Sequence, residues 1–140
     1  MSSHAKWHGK GLPQDRWPLG DQTEWQALFR SGDIFDGMGT ATAWCSQTRK
    51  TNAKHYGQWL GWLSFTGRLD TDAQPWDRVN EESIREYLKT EMGRVAPFTV
   101  YGRLRGLTSV MLKMQPCDNW QWLQDLTNRI KGWASPSRDH

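Results

Sequence analysis

The chain has 140 residues, ten of them Trp, with a formal net charge of +3, 36% hydrophobic residues and a mean hydropathy of −0.82, so one domain's core must be built from few but large side chains. No apolar run of about 18 residues exists to span a bilayer, and the start, Met1-Ser2-Ser3-His4-Ala5-Lys6-Trp7-His8, lacks the apolar h-region of a secretory signal. Cys45 and Cys117 stand far apart without CxxC spacing, which excludes a disulfide scaffold and a thiolate metal site and fits two reduced thiols in a cytoplasmic protein.

Residues 1–19, with Gly9, Gly11, Pro13 and Pro18 and followed by Gly20, read as a loose, mobile arm. Asp21-x-x-Glu24 reads as a capping box, and Trp25, Leu28 and Phe29 follow at helical spacing. A short helix is expected near 22–30, ended by Ser31-Gly32, before an irregular Gly-rich stretch over 31–45. The first long helix is expected after Ser46 as N-cap. Its Ala53, Tyr56, Leu60 and Leu63 share one face, broadened by Trp59 and Trp62, and Gly67 is the stop. Lys50 and Lys54 edge this stripe.

Asn80 caps the next helix, with Glu81 and Glu82 in its first turn, Ile84, Tyr87 and Leu88 as its stripe and Gly93 as its end. Pro97 suits the first position of a third long helix. There Val100, Leu104, Leu107, Met111 and Met114 repeat at alternating spacings of four and three, and Pro116 closes it. Asp118 is the expected cap of a last helix over 119–132 carrying Trp122, Leu123, Leu126 and Ile130. Ser135-Pro136-Ser137-Arg138 reads as a linker. No period-2 run or hairpin turn suggests a strand. The expected fold is all-α, a bundle of four main helices with an N-terminal helical arm, whose shared core contains Leu60, Leu63, Ile84, Leu88, Leu104, Leu107, Leu123 and Leu126.

Constellations for catalysis or metal binding are missing. No HExxH motif occurs among His4, His8, His55 and His140, the His4/His8 pair lies in the Gly- and Pro-rich arm with no Glu or third ligand beside it, and His55 reads as a surface histidine. Asp33-x-x-Asp36-Gly37 lacks the remaining ligands of a calcium loop. No GxGxxG, GxxxxGK[ST] or GxSxG occurs. Cys45 has no sequence neighbour that would lower its pKa and is expected to be inert. No cofactor, no metal and no catalysis by this chain are expected.

Charge points instead to binding. Residues 41–69 carry Arg49, Lys50, Lys54 and Arg68 and no acid; residues 92–117 carry Arg94, Arg103, Arg105 and Lys113 and no acid; between them, 70–91 carry seven acids against three bases. If the two basic segments meet in space they form one positive face suited to a polyanion. Lys50, Lys54, Arg103 and Arg105 stand among small or polar neighbours (Thr48, Asn52, Thr99, Gly102, Gly106). Gly102 and Gly106 each cost about 1 kcal/mol of helix propensity against Ala, so something approaches this helix closely, either another helix or a nucleic-acid backbone.

Four motifs in order carry a family resemblance. They are Thr48-x-x-x-Asn52-x-x-x-Tyr56-x-x-Trp59-Leu60-x-Trp62-Leu63-x-x-x-Gly67, Val79 to Leu88, Thr99-Val100-x-x-Arg103-Leu104-x-x-Leu107, and Met114 to Leu123. Together, over about residues 46–133, they resemble the core-binding domain of tyrosine recombinases of the phage-integrase type. In that family position 52 is often Tyr, where this chain has Asn. The resemblance implies a SAM-like helical bundle that grips duplex DNA as half of a C-shaped clamp, with the first and third long helices toward the major groove and the acidic helix facing away. It implies a division into an arm (1–45), a core-binding domain (46–133) and the start of an interdomain linker (134–140). Thr48, Arg49, Lys50, Asn52, Lys54, Thr99, Arg103 and Arg105 are the expected DNA-binding residues, Arg103 foremost through the family's Arg-Leu pair. Other recombinase protomers in a synaptic complex are the expected protein partners, with a cytoplasmic, nucleoid-associated location and no membrane association. The family's His-x-x-Arg box is absent, and Tyr56, Tyr87 and Tyr101 fall on helices of the binding domain, so strand exchange is assigned to a domain outside this chain. Two alternatives remain: a helical protein-interaction module using a Trp-rich surface, and a helix-turn-helix regulator with its turn at Gly93 to Pro97.

Overall fold

The computed structural model describes residues 6–31 and 39–134. It is all-α, as expected, with no strand among the described residues. The helices are α1 (Leu19–Ala27), α2 (Ser46–Phe65), α3 (Glu81–Met92), α4 (Pro97–Met114) and α5 (Gln121–Ala134), with single 3-10 turns at Gln14–Arg16 and Pro75–Arg78. α4 packs most extensively on α2 and α5, and more lightly on α3. None of the described helices is long and apolar enough to cross a membrane.

Several ends follow local chemistry. Asn80 Oδ1 accepts from the Ser83 amide at 2.9 Å while Ser83 Oγ accepts from the Asn80 amide at 3.1 Å, a reciprocal cap that starts α3. Gly67, at φ +74°, stops α2, and the Arg68 amide turns back to the Leu63 carbonyl at 2.7 Å. Pro97 opens α4, where its missing N–H costs no bond. The residue at the N-cap of α2 is Cys45, one before the expected Ser46. α5 starts at Gln121, whose amide donates to Asn119 Oδ1 at 3.0 Å, so Asn119 does what Asp118 was expected to do. It runs on through Ala134, the residue expected to open the linker. Ser135 to Arg138 and Asp33 to Gly37 lie outside the described residues.

The expected shared core is present. Leu60, Leu63, Ile84, Leu88, Leu104, Leu107 and Leu123 are buried together, with Leu126 packed at the edge. Tyr56, Tyr87, Met111 and Met114 join them. Trp7, Trp17, Trp25, Trp59, Trp62 and Trp120 are buried, and only Trp133, at 67% exposure, is fully on the surface. The Trp-rich surface on which the interaction-module alternative leaned is therefore mostly core. Large apolar faces bury where so few other apolar side chains exist.

The arm departs most from expectation. Residues 6–17 lie against α2 rather than hanging free, and they share its hydrophobic cluster through Trp7 and Trp17. The Leu12 amide donates to the Gly57 carbonyl at 3.0 Å, and Trp17 Nε1 donates to the Leu12 carbonyl at 2.9 Å. Gly57 and Gly61 make the approach possible. A Cβ on Gly57 would stand 2.6 Å from the Leu12 carbonyl oxygen, and one on Gly61 would stand 2.6 Å from that of Lys10. Trp7, Trp17, Trp25, Leu28 and Ala41, from the described residues ahead of α2, thus share the hydrophobic cluster of the later helices.

Asp21 is also not a cap. It lies inside α1, fully buried, and receives Arg78 Nη1 at 3.0 and 2.9 Å together with the Tyr56 hydroxyl. Arg78 further donates to the carbonyls of Asp70 (2.9 Å) and Ala73 (3.1 Å), fixing the 68–80 connection. The capping-box spacing matched by coincidence: a carboxylate this deep is stable only with its counter-charge.

The close approach at α2 yields a paired expectation. Gly57→Ala forces the arm away and should destabilise the fold by about 1–3 kcal/mol. Gly132→Ala, with nothing within 4 Å of its new methyl, should stabilise α5 by about 0.5–1 kcal/mol. Urea denaturation of both variants checks the pair, and a neutral Gly57→Ala would show that the arm does not bear on α2.

Candidate nucleic-acid interface

The two acid-free segments do meet. They form α2 and α4, which pack on one another with their midpoints in contact. His55 of α2 fills the notch at Gly106, where an added Cβ would come within 2.6 Å of the His55 Cβ and 2.7 Å of Cδ2. Gly102, one turn earlier, extends the notch beneath the far edge of the ring. The close approach anticipated from these two glycines is therefore made by a helix. His55 is half-buried at this seam, not a free surface histidine. Thr40, ahead of α2, donates to the Lys113 carbonyl at 2.6 Å, which ties the entry of α2 to the end of α4.

The expected contact residues divide into two groups. Thr48, Arg49, Lys50, Lys54, Thr99 and Arg105 are exposed. Lys50, Lys54 and Arg105 have no ion-pair partner among the described residues. The Arg49 guanidinium carbon lies over the Phe29 ring, 3.8 Å from its centroid, a cation–π contact that occupies it. Asn52, by contrast, is buried. Arg103 is withdrawn too: its side chain is 11% exposed and its guanidinium binds the carboxylate of Glu91. The resemblance that singled out Arg103 rested on its place in the sequence, which carries no sign of the carboxylate waiting one helix away.

Glu91, from the acidic segment, lies inside the fold. It is fully buried, and accepts from Trp7 Nε1 (2.8 Å), Arg94 Nε and Nη2 (both 3.1 Å) and Arg103. Arm, α3 and α4 converge on this one group. Burial pushes its carboxyl up, but the Arg94 hydrogen bond and the Arg103 and Arg94 charges outweigh that and hold it below its ordinary range. No spacing rule reaches from residue 7 to 91; the only hint lay in an acid placed at a stripe-compatible position one turn after Tyr87 and Leu88.

Cys45 is not the featureless thiol expected. Exposed at the α2 N-cap, its Sγ lies 3.3 Å from Thr48 Oγ1, and that hydrogen bond draws the thiol below its usual value. Among the described residues no group of His, Cys, Asp and Glu could hold a metal ion. Between them, α3 and α5 leave a groove of about 550 Å³ whose apolar lining includes Leu88, Met92, Trp122, Leu126, Ile130 and Trp133. Comparisons with family models, curated proteins and solved structures return no match.

The Glu91 junction sets a pH expectation. Glu91→Gln leaves Arg94 and Arg103 without their counter-charge and should cost about 3–5 kcal/mol near neutral pH. The carboxyl is lowered in the folded state, so its contribution is complete above the ordinary value of 4.5 and is lost as pH falls below it through the folded value. Urea titrations at about pH 7 and about pH 3 should show the gap between parent and variant narrowing in acid. A gap of constant size would mean that Glu91 is uncharged in the fold.

Proposed function

We propose that the chain binds duplex DNA across the joined faces of α2 and α4, as the core-binding half of a tyrosine-recombinase clamp. The observation that carries this reading is the packing of the two acid-free basic helices against each other, with Lys50, Lys54 and Arg105 exposed and unpaired among the described residues. Lysine ammonium groups and Arg105 neutralise phosphates, while the hydroxyls of Thr48 and Thr99 donate to backbone oxygens. Arg103 acts from within, fixing α4 on Glu91. Cleavage and joining of strands would belong to a partner domain carrying the nucleophile and its electrostatic support.

A second reading, docking of a helical protein segment, is favoured by the α3/α5 groove with its exposed Trp133. The helix-turn-helix alternative is served less well, because α4, which would be its recognition helix, is packed on α2, α3 and α5.

Anisotropy titration of a labelled duplex separates these readings. A face with three or four phosphate contacts predicts a dissociation constant of about 10⁻⁴–10⁻⁶ M and a loss of roughly a hundredfold between about 50 and 200 mM salt. Lys50→Ala/Lys54→Ala should reduce the salt slope by about two contacts. Arg129→Ala, on α5, should leave binding unchanged, and Arg103→Ala should lower stability before it alters the slope. Absence of binding at low salt, or equal losses in the Lys pair and Arg129 variants, overturns the DNA reading in favour of the groove.

A further inference from the structure

The seam between α2 and α4 holds one titratable ring in the middle of the positive face. Gly106 admits the His55 ring, which lies where a side chain at 106 would stand. Nδ1 lies 3.3 Å from Gln58 Oε1. An amide oxygen only accepts, so Nδ1 carries the proton and Nε2 of the neutral ring carries the lone pair. The Nε2 edge lies beside Gly102, where an added Cβ would stand in ordinary contact at 3.9 Å, and Nε2 is not among the buried polar atoms left without a partner. The ring is half-buried, and Gly102 carries no side chain to cover this edge.

The charges acting on this ring are Lys54 from α2 and Arg103 and Arg105 from α4, with Arg103 itself held by Glu91 of α3. Gln58 is its neutral neighbour. Burial first, then these cations, keep the imidazole neutral to lower pH than an ordinary histidine, against the opposing pull of Gln58. A phosphate arriving here changes both conditions. Its negative charge offsets Lys54 and Arg105. Its oxygens accept only, so a lone pair on Nε2 faces them without a bond, whereas a protonated Nε2 donates one.

We propose that His55 is a proton-linked phosphate contact: when a duplex seats on the α2/α4 face, Nε2 takes one proton from solvent, and the new N–H donates to a phosphate oxygen. This inference rests on the DNA reading above and adds a regulation to it. Affinity then rises as pH falls. The gain is bounded at about tenfold per pH unit for one proton.

The test is the same duplex titration at fixed salt at about pH 8 and about pH 6, spanning the ordinary histidine range. The parent should bind about five- to fiftyfold more tightly at the lower pH, within the one-proton bound. His55→Gln, which keeps a similar bulk over Gly106, should bind with nearly equal affinity at both. Lys50→Ala/Lys54→Ala should bind more weakly at both and keep the pH dependence. An imidazole NMR titration of the parent, free and with duplex, reads the linkage without any variant: the His55 resonance should titrate at higher pH in the complex. A parent affinity independent of pH, a His55→Gln variant with the parent's pH dependence, or an unmoved His55 titration each overturns the proton linkage while leaving DNA binding standing. A parent that binds no duplex at either pH overturns the DNA reading itself, and this inference with it.

Discussion

α2 is buried on every side from Tyr56 to Leu63, and the rest of the molecule is arranged to cover it. A helix with a single apolar stripe needs partners on one side only. This one puts Tyr56, Trp59, Leu60, Trp62 and Leu63 around its circumference and Gly57 and Gly61 between them. The indole of Trp59 stacks on Trp62 with centroids 5.6 Å apart, and Tyr87 of α3 meets both rings. α4 covers the His55 side through its glycine notch. The remaining side has no helix to cover it, and there the two glycines lower the surface enough for an extended chain to lie directly on the helix backbone. Without the arm, the Gly57/Gly61 face would meet water.

Two buried carboxylates hold this wrapping in register. Asp21 joins α1, α2 and the 68–80 connection through Tyr56 and Arg78; Glu91 joins the arm, α3 and α4 through Trp7, Arg94 and Arg103. Desolvating a charge is unfavourable by several kcal/mol and the pair attraction does little more than offset it, roughly speaking. The contribution of such junctions is therefore positional. Only one arrangement of the three converging elements satisfies the carboxylate, and any slip leaves a buried charge alone. The two acids are withdrawn together with Arg78 and Arg103, so these junctions leave the net charge of the surface unchanged, and the exposed Lys50, Lys54 and Arg105 are not part of them.

Much of the helical framework was legible because helices announce themselves locally. The Asn80 cap, the Pro97 start, the Gly67 stop and the leucine stripes depend on neighbours within four residues, and the structure places them as expected. What the sequence concealed depends on residues far apart. Asp21 imitates a cap until Arg78, 57 positions away, is seen to pair with it. The arm looks flexible by its Gly and Pro content, yet its Trp7 and Trp17 supply the apolar area that anchors it. Gly57-x-x-x-Gly61 was the available signal for that anchoring, since two glycines one turn apart on a Trp-rich helix imply a backbone lying against it. At the candidate interface, charge segregation offered the meeting of the basic helices only as a condition, which their apolar stripes fulfil, whereas the fates of Arg103 and Asn52 depended on which side of each helix its neighbours occupy.

The sorting of those side chains bears on what kind of recognition the face supports. Arg103 and Asn52 were the two expected contacts best shaped to read bases, one by a bidentate fork and the other by an amide. Both are turned inward. The side chains left outside are Lys50, Lys54, Arg49, Arg105, Thr48 and Thr99. Lysines act on phosphate as point charges and hydroxyls bond to backbone oxygens, so these groups position a duplex more than they read it. Arg49 is engaged on Phe29, which leaves Arg105 as the one expected contact whose guanidinium is exposed without such a partner. Under the DNA reading, this half of a clamp therefore supplies grip and orientation. Most discrimination between sequences then falls to the shape and deformability of the duplex, or to the opposing half of the clamp.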